Sequence, residues 1–387
     1  MGFGSGRFCE MKINDQKFRH DYFHALIKRE ATGDCNAFAK KTVVCHSILF
    51  LFPLFLFAIA CSNKQEVIYQ APVFEKQQEV SFEIINDSFL FKGSSALFVC
   101  DSLLILCASG INPIIHLFNK ETGLFLKSVG VTGQGPNELV LPLFFSFDYN
   151  SSIIYVFDAG KRAMVSYDIN NVMNDKDIPL KEKRIKNAAI SNMVYLRDSS
   201  FAAYVNLKGL TVSALDENSS ENTFISEAPL DIASNKWWEY FVASNTAKAV
   251  SPDGSKYVMA TYYGGIMDIY SIKSDEISLS HRKHFYKLVC NTERMGYSIN
   301  EETLFGFRNL APTNNFIYAT AFGIKIPTET PKNIWKFDWD GNPIENYICD
   351  YNIEDFAIDE PSEMIYAVVY NKDGEFAIAK GSCKQKR

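Results

Sequence analysis

Acidic side chains recur through this chain at equivalent places of a repeating pattern: Asp148, Asp158, Asp168, Asp338 and Asp359. Carboxylates are hard oxygen ligands, so converging Asp, Asn and Glu residues could hold a divalent cation such as calcium. A metal site needs a few unlike residues meeting at one point. Repetition in several units is instead the habit of an Asp that caps a turn by accepting nearby backbone N–H groups. The expectation is therefore turn capping, with no cofactor, and channel-bound calcium as the alternative.

The remaining groups with chemical potential are few. His281 and His284 flank Arg282-Lys283. On a strand an i, i+3 pair points to opposite faces, so shared coordination needs a helix or turn; a solvated connecting strand is expected. Gly133-Gln134-Gly135-Pro136-Asn137-Glu138 has the glycines of a phosphate cradle. No Gly-Lys-Ser/Thr follows it and no helical pattern begins there, so it reads as a turn: glycine permits positive φ, Pro136 fixes the bend, and Glu138 accepts backbone N–H groups. Gly-x-Ser-x-Gly and His-Glu-x-x-His are both missing, which leaves hydrolytic chemistry without a sequence signature.

Trp237-Trp238-Glu239-Tyr240-Phe241 interrupts the repeat. Packing of these rings on the protein's own surface competes with a recognition role. Function in repeat folds concentrates in such insertions, so Trp237, Trp238 and Tyr240 are the candidate ligand-binding residues.

Those residues must be positioned by a repeat of about fifty residues, built from a short apolar strand, a polar turn and a second strand. Phe145–Asp148 turns into Ile154-Tyr155-Val156, Lys248–Ser251 into Lys256-Tyr257-Val258, Asn309–Pro312 into Ile317-Tyr318-Ala319, and Phe356–Asp359 into Ile365-Tyr366-Ala367. Weaker copies run through Leu104 and Phe201. A third strand with two-residue alternation follows, as in Met164–Asp168, Met267–Ser271 and Ile334–Asp338. Units of this length suit propeller blades. The predicted fold is all-β: a six-bladed β-propeller over 80–387, with blades of about four antiparallel strands. The last blade stops soon after its third strand, Phe376–Ala379, and Val80–Ile85 is expected to supply the fourth and close the ring.

Val43–Ala60 is an apolar run that follows Lys40-Lys41 and ends in small residues before Cys61. That is the order of a secretory signal. Ala58-Ile59-Ala60-Cys61 resembles the lipobox of bacterial lipoproteins, which implies lipidation of Cys61 and attachment to the membrane. An uncleaved anchor is the rival reading, and either one places the rest of the chain outside the cytoplasm. The expected organisation is an over-extended start over 1–41, a lipoprotein signal peptide over 42–61, a flexible tether over 62–79, and then the propeller. Cys100, Cys107, Cys290, Cys349 and Cys383 follow Cys61 without a Cys-x-x-Cys spacing, so no zinc ribbon is signalled. A net charge of −6 and the lack of any basic block argue against nucleic-acid binding.

Gly130-Val-Thr-Gly133-Gln-Gly135-Pro136-Asn-Glu138-Leu139 resembles the Gly-x-Gly-Pro-x-Glu-Phe signature that links blades in NHL-like propellers and in exported TolB-like six-bladed propeller lipoproteins. Ser251-Pro-Asp-Gly254 is similar to the turn of TolB-type blades. The resemblance implies a family of binding proteins, scaffolds and some enzymes; the expected function is an envelope protein that binds a ligand or protein partner without catalysis, with a carbohydrate suggested by the aromatic insertion. Because six-bladed calcium-dependent lactonases share the architecture, a metal-dependent hydrolase or lactonase using the axial channel is the alternative.

Overall fold

Among the described residues, a partly exposed first strand is followed by nearly continuous apolar second and third strands, and that pattern fixes how the sheets stack. Thr246–Val250 is half-buried throughout, whereas Leu103–Ala108, Lys256–Thr261 and Ile317–Ala321 are almost wholly buried. A middle strand covered on both faces by neighbouring sheets has no polar face to show.

In a computed structural model of the chain, the described residues are 67–384, excluding 109, 176–178, 180, 185–189, 197–199, 206–209, 215–221, 227–244, 274–275 and 294–295. Strands β1 (Lys76–Val80) and β2 (Phe82–Asn86) come first. Blade one is β3–β6 (Ser94–Cys100, Leu103–Ala108, Ile115–Asn119, Phe125–Val129). Blade two is β7–β10 (Pro142–Asp148, Ile153–Asp158, Ala163–Asp168, Lys181–Arg184), with the short helix α1 (Ile169–Met173) before its last strand. Blade three is β11–β14 (Ile190–Tyr195, Ser200–Val205, Leu210–Ala214, Asn222–Ser226), and blade four is β15–β18 (Thr246–Val250, Lys256–Thr261, Ile266–Lys273, Glu276–His284). A two-stranded sheet, β19 and β20 (Cys290–Glu293, Gly296–Ile299), precedes blade five, β21–β24 (Phe307–Pro312, Ile317–Ala321, Asn333–Phe337, Pro343–Cys349). Blade six is β25–β27 (Ile353–Asp359, Met364–Tyr370, Phe376–Ser382), completed by β2.

The first strands form the ring. β3 lies beside β7, β7 beside β11, β11 beside β15, β15 beside β21, β21 beside β25, and β25 beside β3. An apolar cluster fills each of the six gaps between consecutive blades. The core is thus divided into six wedges. The propeller is six-bladed and all-β, as its repeat implies.

Closure uses the N-terminal strand, with a shift from the expected bounds. β2 runs antiparallel to β27, pairing Phe82 with Gly381 and Ile84 with Ala379. Val80 instead belongs to β1, which lies parallel to β24 and pairs with Cys349. The tether reading of 62–79 is corrected accordingly: residues 76–79 are strand, and Phe74 packs on Trp335 and Phe337 at 5.4 and 5.9 Å between ring centroids. Lys-Gln-Gln-Glu-Val has no apolar face to announce a strand. It is held by backbone pairing at a sheet edge, where charged residues block further strand addition.

The repeated Asp residues cap turns. Asp158 is fully buried and accepts from the N–H groups of Val140, Leu141 and Lys161 at 2.7, 3.0 and 3.1 Å. Asp168 accepts from Asn170 and Asn171 at the start of α1, Asp338 from Asp340 and Asn342, and Asp148 from Asn150. Asp359 differs: it takes the Lys120 ammonium at 2.6 Å across the seam between blades six and one. His116 is buried in blade one with its Nδ1 2.7 Å from Ser128 Oγ, and burial pushes its pKa down to about 4.

Candidate functional site

Strand direction sorts the connections into two ends of the ring. Among the described residues, first strands lead into second strands by short turns at one end: 101–102, 149–152, 251–255, 313–316 and 360–363. The links from second to third strand, and from one blade to the next, gather at the other end. Among the described residues those include 130–141, Asn245, 285–293, 296–306 and 322–332, which make that end the one able to vary.

Three of these segments meet beside blades four and five. Tyr262 N–H donates to Asn245 O at 2.9 Å, Gly306 N–H to Tyr262 O at 2.7 Å, and Phe322 N–H to Gly306 O at 3.0 Å. The approach is close because glycine faces glycine: a Cβ on Gly306 would lie 2.6 Å from Thr261 O and 2.7 Å from Gly265 Cα. Gly265, at φ +116°, adopts a backbone that other residues avoid.

The result is an aromatic shelf. Tyr262 stands edge-on to Tyr263, Phe305 and Phe322, with centroids 4.9, 5.3 and 5.7 Å apart, and Tyr263 meets Phe305 at 5.2 Å. Tyr262, Tyr263 and Phe305 remain half-exposed. Ile324 and Ile326, 53% and 57% exposed, lie on the neighbouring connection.

Charged residues adjoin the shelf at the start of the inner strands. Arg308 of β21 donates through Nη2 to Glu354 Oε1 of β25 at 2.6 Å. Their side chains are 28% and 14% exposed, so the pair borders the channel instead of lying in the core. The Tyr370 hydroxyl also hydrogen-bonds to the Glu354 carboxylate. The Tyr370 hydroxyl is pushed up to about 12, first by burial and then by the charge of Glu354. Tyr262 is raised by burial, while Arg308 opposes and Glu354 reinforces that shift, which places all three in one electrostatic neighbourhood.

Beneath them lies a brace. Asp355 accepts from Ser94 Oγ at 2.6 Å, Asn309 Nδ2 at 2.7 Å and its neighbour Phe356 N–H at 2.9 Å, tying blades one, five and six together. Burial raises its pKa, opposed by the hydrogen bonds from Ser94 and Asn309. On the facing inner strand, burial pushes the Lys248 amine well below its ordinary value.

The residues singled out from sequence are distributed as follows. Gly133, Gly135, Pro136 and Glu138 lie between blades one and two; Glu138 accepts the Gly135 N–H at 2.6 Å, and a Cβ on Gly133 would meet Glu138 Oε2 at 2.1 Å. Leu139 is fully buried in the wedge between those blades. His281 meets Asp340 at 3.1 Å on outer strand β18, and His284 lies edge-on to Tyr69. Cys61, Trp237, Trp238 and Tyr240 lie outside the described residues. The chain that carries the Trp pair runs into Asn245, the hydrogen-bond partner of Tyr262. Among the described residues no group of three or more His, Cys, Asp or Glu could hold a metal ion, and no helix is long and apolar enough to cross a membrane.

Sequence reading missed Tyr262, Tyr263, Phe305, Arg308 and Glu354. One signal was present: Glu354-Asp355 places two adjacent carboxylates inside the strand Ile353–Asp359, which is costly unless they are paired.

Comparison with known proteins bears on the architecture. A family model described as TolB-like 6-blade propeller-like matches residues 74–361. A DUF4221-family member from Bacteroides vulgatus is similar in structure, with a TM-score of 0.51 at 11% identity over 79% of this chain and 96% of that one. A protein from Bacteroides fragilis whose description is that of an exported protein has a TM-score of 0.50 at 16% identity, over 80% of this chain and 99% of that one. No curated protein matches the chain.

Proposed function

The chain belongs to the TolB-like 6-blade propeller-like family, and on that premise we propose a lipid-anchored binding protein of the cell envelope. It engages a ligand or protein partner through the long-connection end of the ring, without catalysing a reaction. The observation that carries this reading is the meeting of a half-exposed aromatic shelf with the Arg308–Glu354 pair at the channel mouth. Aromatic and Arg side chains are the types in which binding energy concentrates. The short turns at the other end are occupied with capping their own backbone.

The address comes from Val43–Ala60 and Cys61, and the exported Bacteroides fragilis protein of the same fold agrees with it. Metabolic labelling with a fatty-acid analogue tests the anchor. The parent should be labelled and processed, and Cys61→Ser should be unlabelled and lost from the mature membrane fraction. Equal labelling of parent and variant would reject the lipid anchor.

A further inference from the structure

We propose that the channel mouth is a saccharide site, in which a sugar ring rests on the Tyr262–Tyr263–Phe305 shelf and its hydroxyl groups engage the Arg308–Glu354 pair. The proposal rests on the reading of this end as the binding face and names the ligand class.

The shelf supplies the first half of the recognition. A pyranose ring has one face rich in C–H groups, and packing it on an aromatic face removes apolar surface from water on both sides. Tyr262, Tyr263 and Phe305 stand edge-to-face with one another, and each keeps part of its surface open to solvent, the area on which a sugar ring would rest. All three are half-exposed.

The ion pair supplies the second half and decides between ligand classes. Arg308 uses one N–H on Glu354 Oε1, and a guanidinium has five in a planar fork. A hydroxyl group accepts and donates at once, so neighbouring sugar hydroxyls can accept from the unused Arg308 donors and satisfy the carboxylate side while the pair stays intact. Such charge-assisted hydrogen bonds are the strong ones. A carboxylate or ammonium group on a peptide must instead compete with Glu354 or Arg308 for its natural counter-charge, which costs one partner its charge-assisted hydrogen bond. A neutral polyol incurs no such cost. The tyrosine hydroxyls around the site fit the same chemistry, because a neutral phenol both donates and accepts; burial pushes Tyr263 and Tyr370 up to about 12.

The test is isothermal titration of the full chain with three probe sets: neutral gluco-, manno-, galacto- and N-acetylglucosamine oligosaccharides, uronic-acid oligosaccharides, and mixed-sequence peptides. Tyr263→Ala and Arg308→Gln are the variants, each first checked for a parent-like melting curve. A neutral oligosaccharide should bind the parent, and each variant should weaken it by about tenfold or more. Tighter binding of the uronic-acid set than of every neutral set overturns the neutral-sugar assignment. Peptide binding that depends on Tyr263, with no saccharide binding, overturns the saccharide site and keeps the face. If whatever binds is indifferent to both substitutions, the proposal and the face fail together.

Discussion

Removal of residues 76–86 is expected to destabilise the whole propeller and lower its melting temperature. β1 and β2 close two sheets at once, the edge of blade five and the fourth position of blade six. Val80 and Phe82 are buried, and Phe82 N–H donates to both carboxylate oxygens of Asp350, at 3.1 and 3.3 Å. The packing is tight enough that a Cβ on Gly381 would meet Val80 Cγ1 at 2.8 Å. Losing those two side chains costs about 2 kcal/mol each by area burial. The exposed edge of β27 adds the ladder hydrogen bonds and an aggregation-prone strand, since Ala377, Ile378 and Ala379 are fully buried when β2 is present. A loss of at least about 5 kcal/mol lowers Tm by about 8 °C or more in a domain of this size. Calorimetry of the deletion checks this. Melting as one transition at the parent's temperature would show that β2 does not hold the ring shut.

The second large effect is expected at Asp355. Replacing it with Ala strands the donors of Ser94, Asn309 and Phe356 at the seam of three blades. The expected cost is about 3 kcal/mol, the scale on which a buried hydrogen-bonded charge leaves its partners unpaired. Asp355→Asn should cost much less, because it keeps an acceptor in place. The two forms also part with pH. Burial raises the Asp355 pKa in the folded state, so the unfolded chain releases this proton first as pH rises. The carboxyl's contribution is therefore greatest below its ordinary range and declines as pH climbs through the raised value. Denaturant titrations should show the parent losing ground to Asp355→Asn over that rise. A parallel pH dependence of the two would mean that Asp355 does not titrate against a burial cost.

The blades were legible in the sequence because their signals are local. The Tyr of Ile365-Tyr366-Ala367 is fully buried between blades six and one, and the turn before it is short, so pattern and structure coincide within about twenty residues. Phe145–Asp148 and Ile154-Tyr155-Val156 fall inside β7 and β8 for the same reason. β1 was not legible: its stability comes from backbone pairing with a strand far along the chain, and Lys-Gln-Gln-Glu carries no apolar period. The aromatic shelf was hidden for a related reason. Tyr262-Tyr263 and Phe305 belong to separate connections that only the packing of blade four on blade five brings together, and Arg308 finds Glu354 on the next inner strand. Local repetition writes the scaffold into the sequence; a site assembled from unlike loops leaves no repeat to read.

The central claim is that this propeller acts through its long-connection end. Photo-cross-linking in living cells tests it most directly, with p-benzoylphenylalanine placed at Tyr263 in one strain and at Asn150, an exposed turn residue at the opposite end, in another. The account predicts ligand or partner adducts from position 263 that disappear when Arg308→Gln is added, and none from position 150. Adducts from position 150 alone, or adducts from 263 that are indifferent to Arg308, would contradict it.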